Sequence, residues 1–386
     1  MRSDAAFNEA YARSKIKPAI DDHFGSPEQM LPVRAAATWQ IPTLETEGAL
    51  AAWLRATPEE LEWFADLKHL CTRSREEKLR HYNYRVLAKP GGNLRLIESP
   101  KQRLKQMQRE ILTGILEHIP AHDAAHGFVK GRSIKSFAAA HRRKQVVLRM
   151  DLREFFPSIR SARVQAFFRT AGYPERVADL LGGLCTTATP RHVFSQNRIS
   201  TPEFTIDPTA LFHIWQTYAI PHLPQGAPTS PALANLCAYR ADCRLNGLAH
   251  AARSTYTRYA DDLAFSGGAD FDRCVERFAI HAAAILLEEG FEVNHRKTRV
   301  MRRGVRQYLA GVVANEHVNV VRADFDRLKA MLTNCVRRGP DSQNREGHAN
   351  FRAHLAGRIS FVDMLNPQKG ARLKKIFEQI TWSETE

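Results

Sequence analysis

The sequence lacks the features that mark a membrane-spanning or secreted protein. Its 386 residues contain no run of 18 apolar residues, the length that a spanning helix needs. The N-terminal stretch MRSDAAFNEAYARSK has no apolar segment of the kind found in a signal peptide. The six cysteines are scattered and form no C-x-x-C pair, which argues against a disulfide scaffold and a structural zinc site. These absences predict a cytoplasmic protein with reduced thiols and no membrane partner.

Acidic residues are too few to balance the basic ones. The chain has 41 Asp and Glu against 56 Lys and Arg, a formal net charge of +15. Such a surplus indicates a polyanionic partner, and without membrane signals nucleic acid is favoured. Residues 68–109 alone carry 12 Lys and Arg against three acids. We expect this segment to face phosphates, with an ordinary solvated surface as the alternative.

Hydrophobic periodicity predicts a mixture of hairpins and helices. Residues 84–100 are typical of a β-hairpin with a KPGG turn, and 145–151 of a buried strand that ends in a carboxylate. Residues 255–266 predict two short strands around a tight turn, and 271–290 a helix that ends at a glycine. Residues 185–222 are interpreted as an irregular surface insertion. The pattern predicts an α+β fold.

Three acidic residues stand out as candidate metal ligands. Asp261 and Asp262 are adjacent in the predicted hairpin turn, where they repel each other unless a cation neutralises them. A solvated turn is the alternative, since Asp is a common turn residue. Asp151 ends an apolar strand 110 residues earlier. Side-by-side strands would bring the three carboxylates together, enough to hold two Mg²⁺ ions about 3.5–4 Å apart for phosphoryl transfer.

Seven segments, in order, resemble the motifs of reverse transcriptases of the bacterial retron and group II intron branch. They are NLRLIESPKQRLKQMQREIL (93–112), AHGFVKGRSI (125–134), LRMDLREFFPSI (148–159), LPQGAPTSPALANL (223–236), TRYADDLAFSG (257–267), GFEVNHRKTRV (290–300) and QYLAGVVAN (307–315). The resemblance covers roughly residues 60 to 320 and implies a right-hand polymerase, with an antiparallel palm sheet packed on helices. The expected divisions are an N-terminal extension with helices (1–67), fingers (68–146), palm (147–315, including the insertion) and a helical thumb (316–386).

The resemblance also implies the catalytic roles. Asp151, Asp261 and Asp262 would be the catalytic residues and metal ligands, with the backbone carbonyl of Leu152 also near a metal. Two Mg²⁺ ions are the implied cofactors, with Mn²⁺ as a substitute. Phe156 falls where the family places a steric gate, a ring that would clash with a ribose 2′-hydroxyl and so favour dNTPs. The alternative for Phe156 is a core position.

Further residues match the family's nucleotide-binding positions. Arg95 falls at the fingers position that clamps the triphosphate, a task suited to the bidentate guanidinium. Gln225 and Gly226 would shape the nucleotide pocket. Lys297 matches a lysine that would protonate the departing pyrophosphate, with an ordinary surface lysine as the alternative. The predicted RNA- and primer-binding residues are Arg103, Lys105, Arg132, His141, Tyr308 and Gly311; for His141 a capping or core role is the alternative.

The predicted function is RNA-directed DNA polymerisation. The retron signature N-A-x-x-H is matched in part by Phe137-Ala138-Ala139-Ala140-His141, and V-T-G by Leu309-Ala310-Gly311. By resemblance the enzyme would copy a structured, locus-encoded RNA into an RNA–DNA hybrid, work with a toxin or effector protein and serve in anti-phage defence. The alternatives are a stand-alone reverse transcriptase outside the retrons, a ribonucleoprotein scaffold that holds RNA and DNA, and a template-independent or RNA-making polymerase.

Overall fold

The computed structural model describes residues 28–74, 76–88, 94–195 and 208–382. The predicted KPGG turn and residues 1–27 of the predicted N-terminal extension lie outside the described residues. Within them the helices are α1 (Glu47–Trp53), α2 (Pro58–Ala65), α3 (Leu70–Arg73), α4 (Gln102–Gly114), α5 (Ile134–Ala139), α6 (Phe155–Ser158), α7 (Ser161–Thr170), α8 (Glu175–Cys185), α9 (Pro208–Ala219), α10 (Ser230–Cys237), α11 (Tyr239–Ala251), α12 (Ala269–Glu288), α13 (Arg322–Arg338), α14 (Phe351–Leu365) and α15 (Pro367–Phe377). The strands are β1 (Tyr82–Ala88), β2 (Leu94–Pro100), β3 (Val146–Asp151), β4 (Thr255–Tyr259), β5 (Asp262–Gly267), β6 (Arg299–Arg302), β7 (Tyr308–Leu309) and β8 (Val312–Val313).

A four-stranded antiparallel sheet in the order β4-β5-β3-β6 forms the centre of the molecule. Its middle strand β3 is apolar because both faces are covered, and Val146, Val147 and Leu148 are fully buried. The register pairs Val146 with Gly267 and ends with Asp151 opposite Asp262. The α+β prediction is confirmed, and the sheet places the predicted acids at one end of two adjacent strands.

The basic hairpin predicted near residue 90 is present as β1 and β2, paired antiparallel from Tyr82 opposite Pro100 to Ala88 opposite Leu94. The buried Leu94 and Leu96 side chains of β2 pack in a cluster of their own. The other buried members of this cluster come from the chain after residue 190, and they are Val193, Phe194, Leu211 and Tyr218. The hairpin is therefore attached to the predicted insertion by apolar packing.

The interpretation of residues 185–222 as irregular surface loop was wrong for α9. Leu211, Ile214, Trp215 and Tyr218 lie at positions i, i+3, i+4 and i+7 of this helix, and they pack toward the β2 cluster. This spacing is the signal that sequence reasoning missed. Helix α9 is stabilised because its apolar side chains pack against the β1–β2 hairpin.

The C-terminal helices α13, α14 and α15 surround a second core, in agreement with the helices predicted there. Leu328 and Leu332 of α13 meet Leu355 of α14 and the β7–β8 hairpin within this core. Among the described helices, none is both long enough and apolar enough to cross a membrane.

A buried ion pair behind the active-site hairpin predicts a large stability effect. Asp242 is fully buried and accepts hydrogen bonds from Tyr256 Oη (2.7 Å) and from Arg258 Nε (2.8 Å) and Nη2 (2.6 Å). Asp242→Ala would leave the Arg258 charge buried without its carboxylate, so we expect a loss of about 3–5 kcal/mol in the free energy of unfolding. Urea unfolding measures this. The exposed pair of Asp326 with Arg322 provides the control, since Asp326→Ala should change stability little. Equal effects of the two substitutions would contradict the prediction.

Candidate active site

Asp261 lies in the predicted tight turn between β4 and β5, and Asp262 is the first residue of β5. Ala260 adopts a left-handed backbone conformation with φ +54°, which lets the two-residue turn reverse the chain. Gly127 packs against this turn so closely that a Cβ there would lie 2.7 Å from the Ala260 nitrogen. The turn is therefore held from behind by the 125–134 segment.

Backbone hydrogen bonds bring Asp151 next to this turn. The Leu152 amide donates to the Asp261 carbonyl at 2.9 Å, one residue beyond the pairing of Asp151 with Asp262. On the opposite side, the amide of Asn294 donates to the Asp151 carbonyl at 2.7 Å. The predicted convergence of Asp151, Asp261, Asp262 and Leu152 is therefore present at the end of the sheet.

Burial makes the negative charges of Asp261 and Asp262 less favourable than in solvent. Burial raises the pKa of Asp261, and the neighbouring Asp151 raises it further. Burial also raises the pKa of Asp262 to about 6, against the opposing effect of Arg149. Lys297 and Arg95 are among the charges that oppose the rise at Asp261. Three protein cations from separate segments therefore act on this acidic centre.

Cationic side chains already contact two of the acids. Lys297 Nζ lies 3.1 Å from both carboxylate oxygens of Asp151, and Asn294 Nδ2 donates to Asp151 Oδ2 at 3.2 Å. Arg149 donates from Nε (2.7 Å) and Nη2 (2.6 Å) to Asp262 Oδ1. Arg149 and Asn294 are site residues that sequence reasoning missed, although both lie in matched motifs.

The donor atoms of the acidic centre are oxygens, the type that suits a hard divalent cation. Carboxylate and backbone carbonyl oxygens are the ligands such ions prefer. The ammonium group of Lys297 shows that a positive charge can lie against Asp151. No cluster of three or more His, Cys, Asp or Glu side chains already arranged for a metal occurs within the described ranges. The contact with Arg149 partly explains the absence of such a cluster, because it directs the Asp262 carboxylate toward a guanidinium group.

Two of the segments that carry predicted nucleotide-binding residues contact each other. Arg95 is exposed on β2. Gln225 is half-buried, and its carbonyl accepts from the Glu98 amide of β2 at 2.9 Å. Gly226 has φ +139°, and a Cβ there would lie 2.9 Å from the Glu98 carbonyl oxygen. The fingers hairpin and the predicted nucleotide pocket are therefore in direct backbone contact.

Phe156 is half-buried and has an aromatic neighbour that sequence reasoning did not single out. The Phe128 ring is 49% exposed and lies 6.1 Å from the Phe156 ring and 6.4 Å from that of Tyr259. Its φ of +60° is unusual for a bulky residue. Asn235 Nδ2 fixes the loop by donating to the Gly127 carbonyl at 2.8 Å. The exposed ring is thus held beside the predicted gate.

Two of the predicted RNA-binding arginines have partners within the chain. Arg103 donates from Nε (2.6 Å) and Nη2 (2.9 Å) to the Glu60 carboxylate. Arg132 donates to the carbonyls of Asp123 and, at 2.8 Å, Ala125. These contacts favour roles in fixing α4 against α2 and in shaping the 125–134 loop. Lys105, on α4, is half-buried.

The prediction that His141 contacts RNA is corrected by its position. Its ring is fully buried, with Nδ1 2.6 Å from Ser266 Oγ and Nε2 2.7 Å from Thr257 Oγ1. Burial lowers the pKa of His141 to about 3, so the ring is neutral. Phe137 is also fully buried and meets His141 edge-on at 6.0 Å. His141 therefore joins α5 to β4 and β5, the core alternative.

Tyr308 and Gly311 lie in a small hairpin formed by β7 and β8. The two turn residues Ala310 and Gly311 have φ values of +44° and +94°. Positive φ at both central residues is the geometry of a type I′ turn, which favours glycine. Tyr308 is half-buried, and its amide contacts Met301 Sδ at 3.3 Å. The hairpin is attached to the sheet beside β6, and its tip is exposed at Gly311.

Comparison with known proteins gives a consistent family. A family model described as reverse transcriptase (RNA-dependent DNA polymerase) matches residues 87–319. The chain is 40% identical to the retron Mx65 reverse transcriptase of Myxococcus xanthus, over 88% of this chain and 73% of that protein. It is 35% identical to the retron Mx162 reverse transcriptase of the same organism, over 91% and 70%. It is 27% identical to the retron Ec86 reverse transcriptase of Escherichia coli, over 74% and 76%.

Similarity to solved structures is weaker. A structure of telomerase from Candida albicans with a fragment of telomeric RNA matches with a TM-score of 0.38 and 13% identity. The match covers 76% of this chain and 56% of that one. A TM-score at this level does not by itself establish a shared fold.

Proposed function

Since the chain belongs to the reverse transcriptases of the bacterial retron type, and is therefore an RNA-directed DNA polymerase, we propose that it copies a structured, locus-encoded RNA by two-metal nucleotidyl transfer. The family generally uses divalent metal ions. The observation that carries the proposed mechanism is the convergence of Asp151, Asp261 and Asp262 at one end of the antiparallel sheet. Burial raises the pKa of Asp261 and of Asp262, so a bound cation would stabilise their negative charges.

Asp151 and Asp261 are the main proposed metal ligands. Two Mg²⁺ ions, with Mn²⁺ as a substitute, would supply activation of the primer 3′-hydroxyl and neutralisation of the triphosphate. Arg149 is itself mostly buried and holds Oδ1 of Asp262, whereas the more exposed Lys297 can move away from Asp151, so we assign Asp262 a smaller share in metal binding. The backbone carbonyl of Leu152 is a further candidate ligand. The three acids are thus proposed to contribute unequally to metal binding.

The surrounding residues bind and orient the nucleotide. Arg95, whose charge acts on Asp261, is placed to bind the triphosphate through its guanidinium fork. Phe156 presents its ring to the sugar and excludes a 2′-hydroxyl, which selects dNTPs. Lys297, in contact with Asp151, is placed to give a proton to the leaving pyrophosphate. Gln225 and Gly226 line the same nucleotide pocket as these side chains.

The family implies RNA and DNA as partners. We extend the proposal from this activity to a biological role. Relatives that match over most of this chain are named as retron reverse transcriptases. A net charge of +15 suits a structured RNA and its RNA–DNA hybrid product. We propose Tyr308 and Gly311 for the primer end and Lys105 for phosphate contact. A role in anti-phage defence with a toxin or effector protein completes the proposal.

The deciding experiment is isolation of the protein from cells that carry its native locus. Sequencing before RNase treatment should recover a short DNA joined to a structured RNA, and after the treatment the DNA should remain. The purified protein should also incorporate dNTPs on an RNA template, lose this activity in EDTA and regain it with Mg²⁺ or Mn²⁺. Recovery of bulk or no nucleic acid, with intact polymerisation, would refute the locus-encoded template. Activity that survives EDTA would refute the metal mechanism.

A further inference from the structure

We infer that Glu98 is a positioning residue for the nucleotide site, an inference that rests on the polymerase function proposed above. Glu98 is fully buried on β2, three residues after Arg95. A carboxylate remains in the protein interior only where hydrogen bonds or a cation compensate for its lost hydration. The groups that contact Glu98 therefore indicate the role of this buried carboxylate.

Two side chains from the palm side hold the Glu98 carboxylate. Thr189 Oγ1 donates to Oε1 at 2.6 Å, and His222 Nε2 lies 3.0 Å from Oε2. His222 Nδ1 lies 2.8 Å from the Ile220 carbonyl, which can only accept, so Nδ1 donates. A proton is therefore held between Nε2 and Oε2, either as an imidazolium facing a carboxylate or as a neutral ring facing a carboxylic acid. Both forms give a strong, directional contact.

The same strand touches the nucleotide pocket through its backbone. The Glu98 amide donates to the Gln225 carbonyl at 2.9 Å, and Gly226 leaves no room for a side chain between the two segments. His222 lies three residues before Gln225, and its own amide donates to the Thr187 carbonyl at 2.9 Å. The side-chain and backbone contacts thus fix β2, with Arg95, onto the segment that carries Gln225.

A further link extends these contacts to the predicted gate. Tyr218 meets the His222 ring edge-on at 5.3 Å and donates from its hydroxyl to Glu154 Oε2 at 2.6 Å. Glu154 has φ +41° and directly precedes α6, which carries Phe156. We call Glu98, Thr189, His222, Tyr218 and Glu154 the Glu98 network. It connects the segments that carry three of the proposed nucleotide-contacting residues, Arg95, Gln225 and Phe156.

The network is expected to act on nucleotide binding and not on RNA binding. Displacement of a positioning group by about 1 Å can cost about 10²-fold in rate. Glu98→Ala removes the acceptor for Thr189 and His222 and frees β2 to shift relative to Gln225. We expect the KM for dNTP to rise about tenfold while affinity for the RNA template stays within about twofold. Steady-state incorporation on an RNA template, with RNA binding by fluorescence anisotropy, measures both.

The conservative variant Glu98→Gln shows whether the hydrogen bonds of Glu98 or its charge are required. In Glu98→Gln the amide can donate to Nε2 of a neutral His222 while its carbonyl accepts from Thr189, so KM should return close to that of the unmodified protein. Thr189→Val keeps the side-chain shape, removes one hydrogen bond and should raise KM about threefold.

Gln108 supplies a matched structural control. It is fully buried and donates to Tyr82 Oη at 2.9 Å and to the Leu184 carbonyl at 2.8 Å, outside the nucleotide site. Gln108→Leu should lower thermal stability and leave the KM for dNTP unchanged. A folded Glu98→Ala with unchanged KM would overturn the inference, as would an equal rise in Gln108→Leu. If Glu98→Ala does not fold, an unchanged KM in Thr189→Val overturns it. An unmodified protein that incorporates no dNTP on RNA would instead refute the proposed function.

Discussion

Asp261→Asn is expected to abolish DNA synthesis while RNA binding survives. The amide keeps the size of the side chain but removes the charge that would bind the metal, at a position where burial and Asp151 already disfavour that charge. Loss of this ligand should lower kcat by about 10³-fold, equivalent to about 4 kcal/mol of transition-state stabilisation. Single-nucleotide extension of a primer on RNA measures the rate. Template affinity should be equal or slightly higher, because one negative charge facing phosphates is gone.

The neighbouring acid provides an internal comparison. Arg149 engages Asp262 Oδ1, and an Asn at 262 retains an oxygen that can accept from it. Asp262→Asn should therefore cost about tenfold, clearly less than Asp261→Asn. Asp179→Asn, at a half-buried position on α8 that is paired with Arg169, should leave the rate unchanged. Loss of RNA binding together with activity in Asp261→Asn would make this residue structural and contradict its proposed role. Equal losses at 261 and 262 would contradict the unequal assignment.

Phe156→Ala is expected to admit ribonucleotides. The ring is half-buried between Phe155 and the exposed Phe128, and its truncation opens space where a 2′-hydroxyl would otherwise clash. We expect the preference for dNTP over rNTP, expressed as the ratio of kcat/KM values, to fall about 10²-fold. Incorporation of matched dNTP and rNTP pairs on the same RNA template measures this ratio.

Phe155 is the control for this experiment. It is buried and packs against Phe291 at 5.6 Å, with the Arg258 guanidinium 5.7 Å from its ring. Phe155→Leu should lower stability and leave sugar selection as it was. If Phe156→Ala retains full discrimination against rNTPs, the gate lies elsewhere, and the neighbouring Phe128 becomes the residue to replace.

Much of the catalytic centre could be predicted from the sequence because its elements are local. An apolar strand that ends in Asp151 and a hairpin that turns at Ala260-Asp261 are each specified by residues within a few positions. Their motif order then indicated which acids would meet. The helix α9 was missed although its apolar spacing was readable, because polar residues around it outweighed that pattern.

The fate of long polar side chains could not be predicted in this way. Arg103, His141 and Arg132 were assigned to RNA from charge and motif position, yet each has partners within the chain. Whether a guanidinium or imidazole meets solvent depends on residues far away in sequence. Ser266, for example, is 125 positions from His141.

The sequence by itself determined the family and predicted the three acids as its catalytic residues, since both depend on residue types and short spacings. Only the tertiary structure decided that Asp262 faces Arg149, that Lys297 lies against Asp151, and that Glu98 joins His222. Each of these contacts spans more than 110 positions. Their formation depends on strand register and on the burial of charge, which are properties of the packed sheet and not of any local segment.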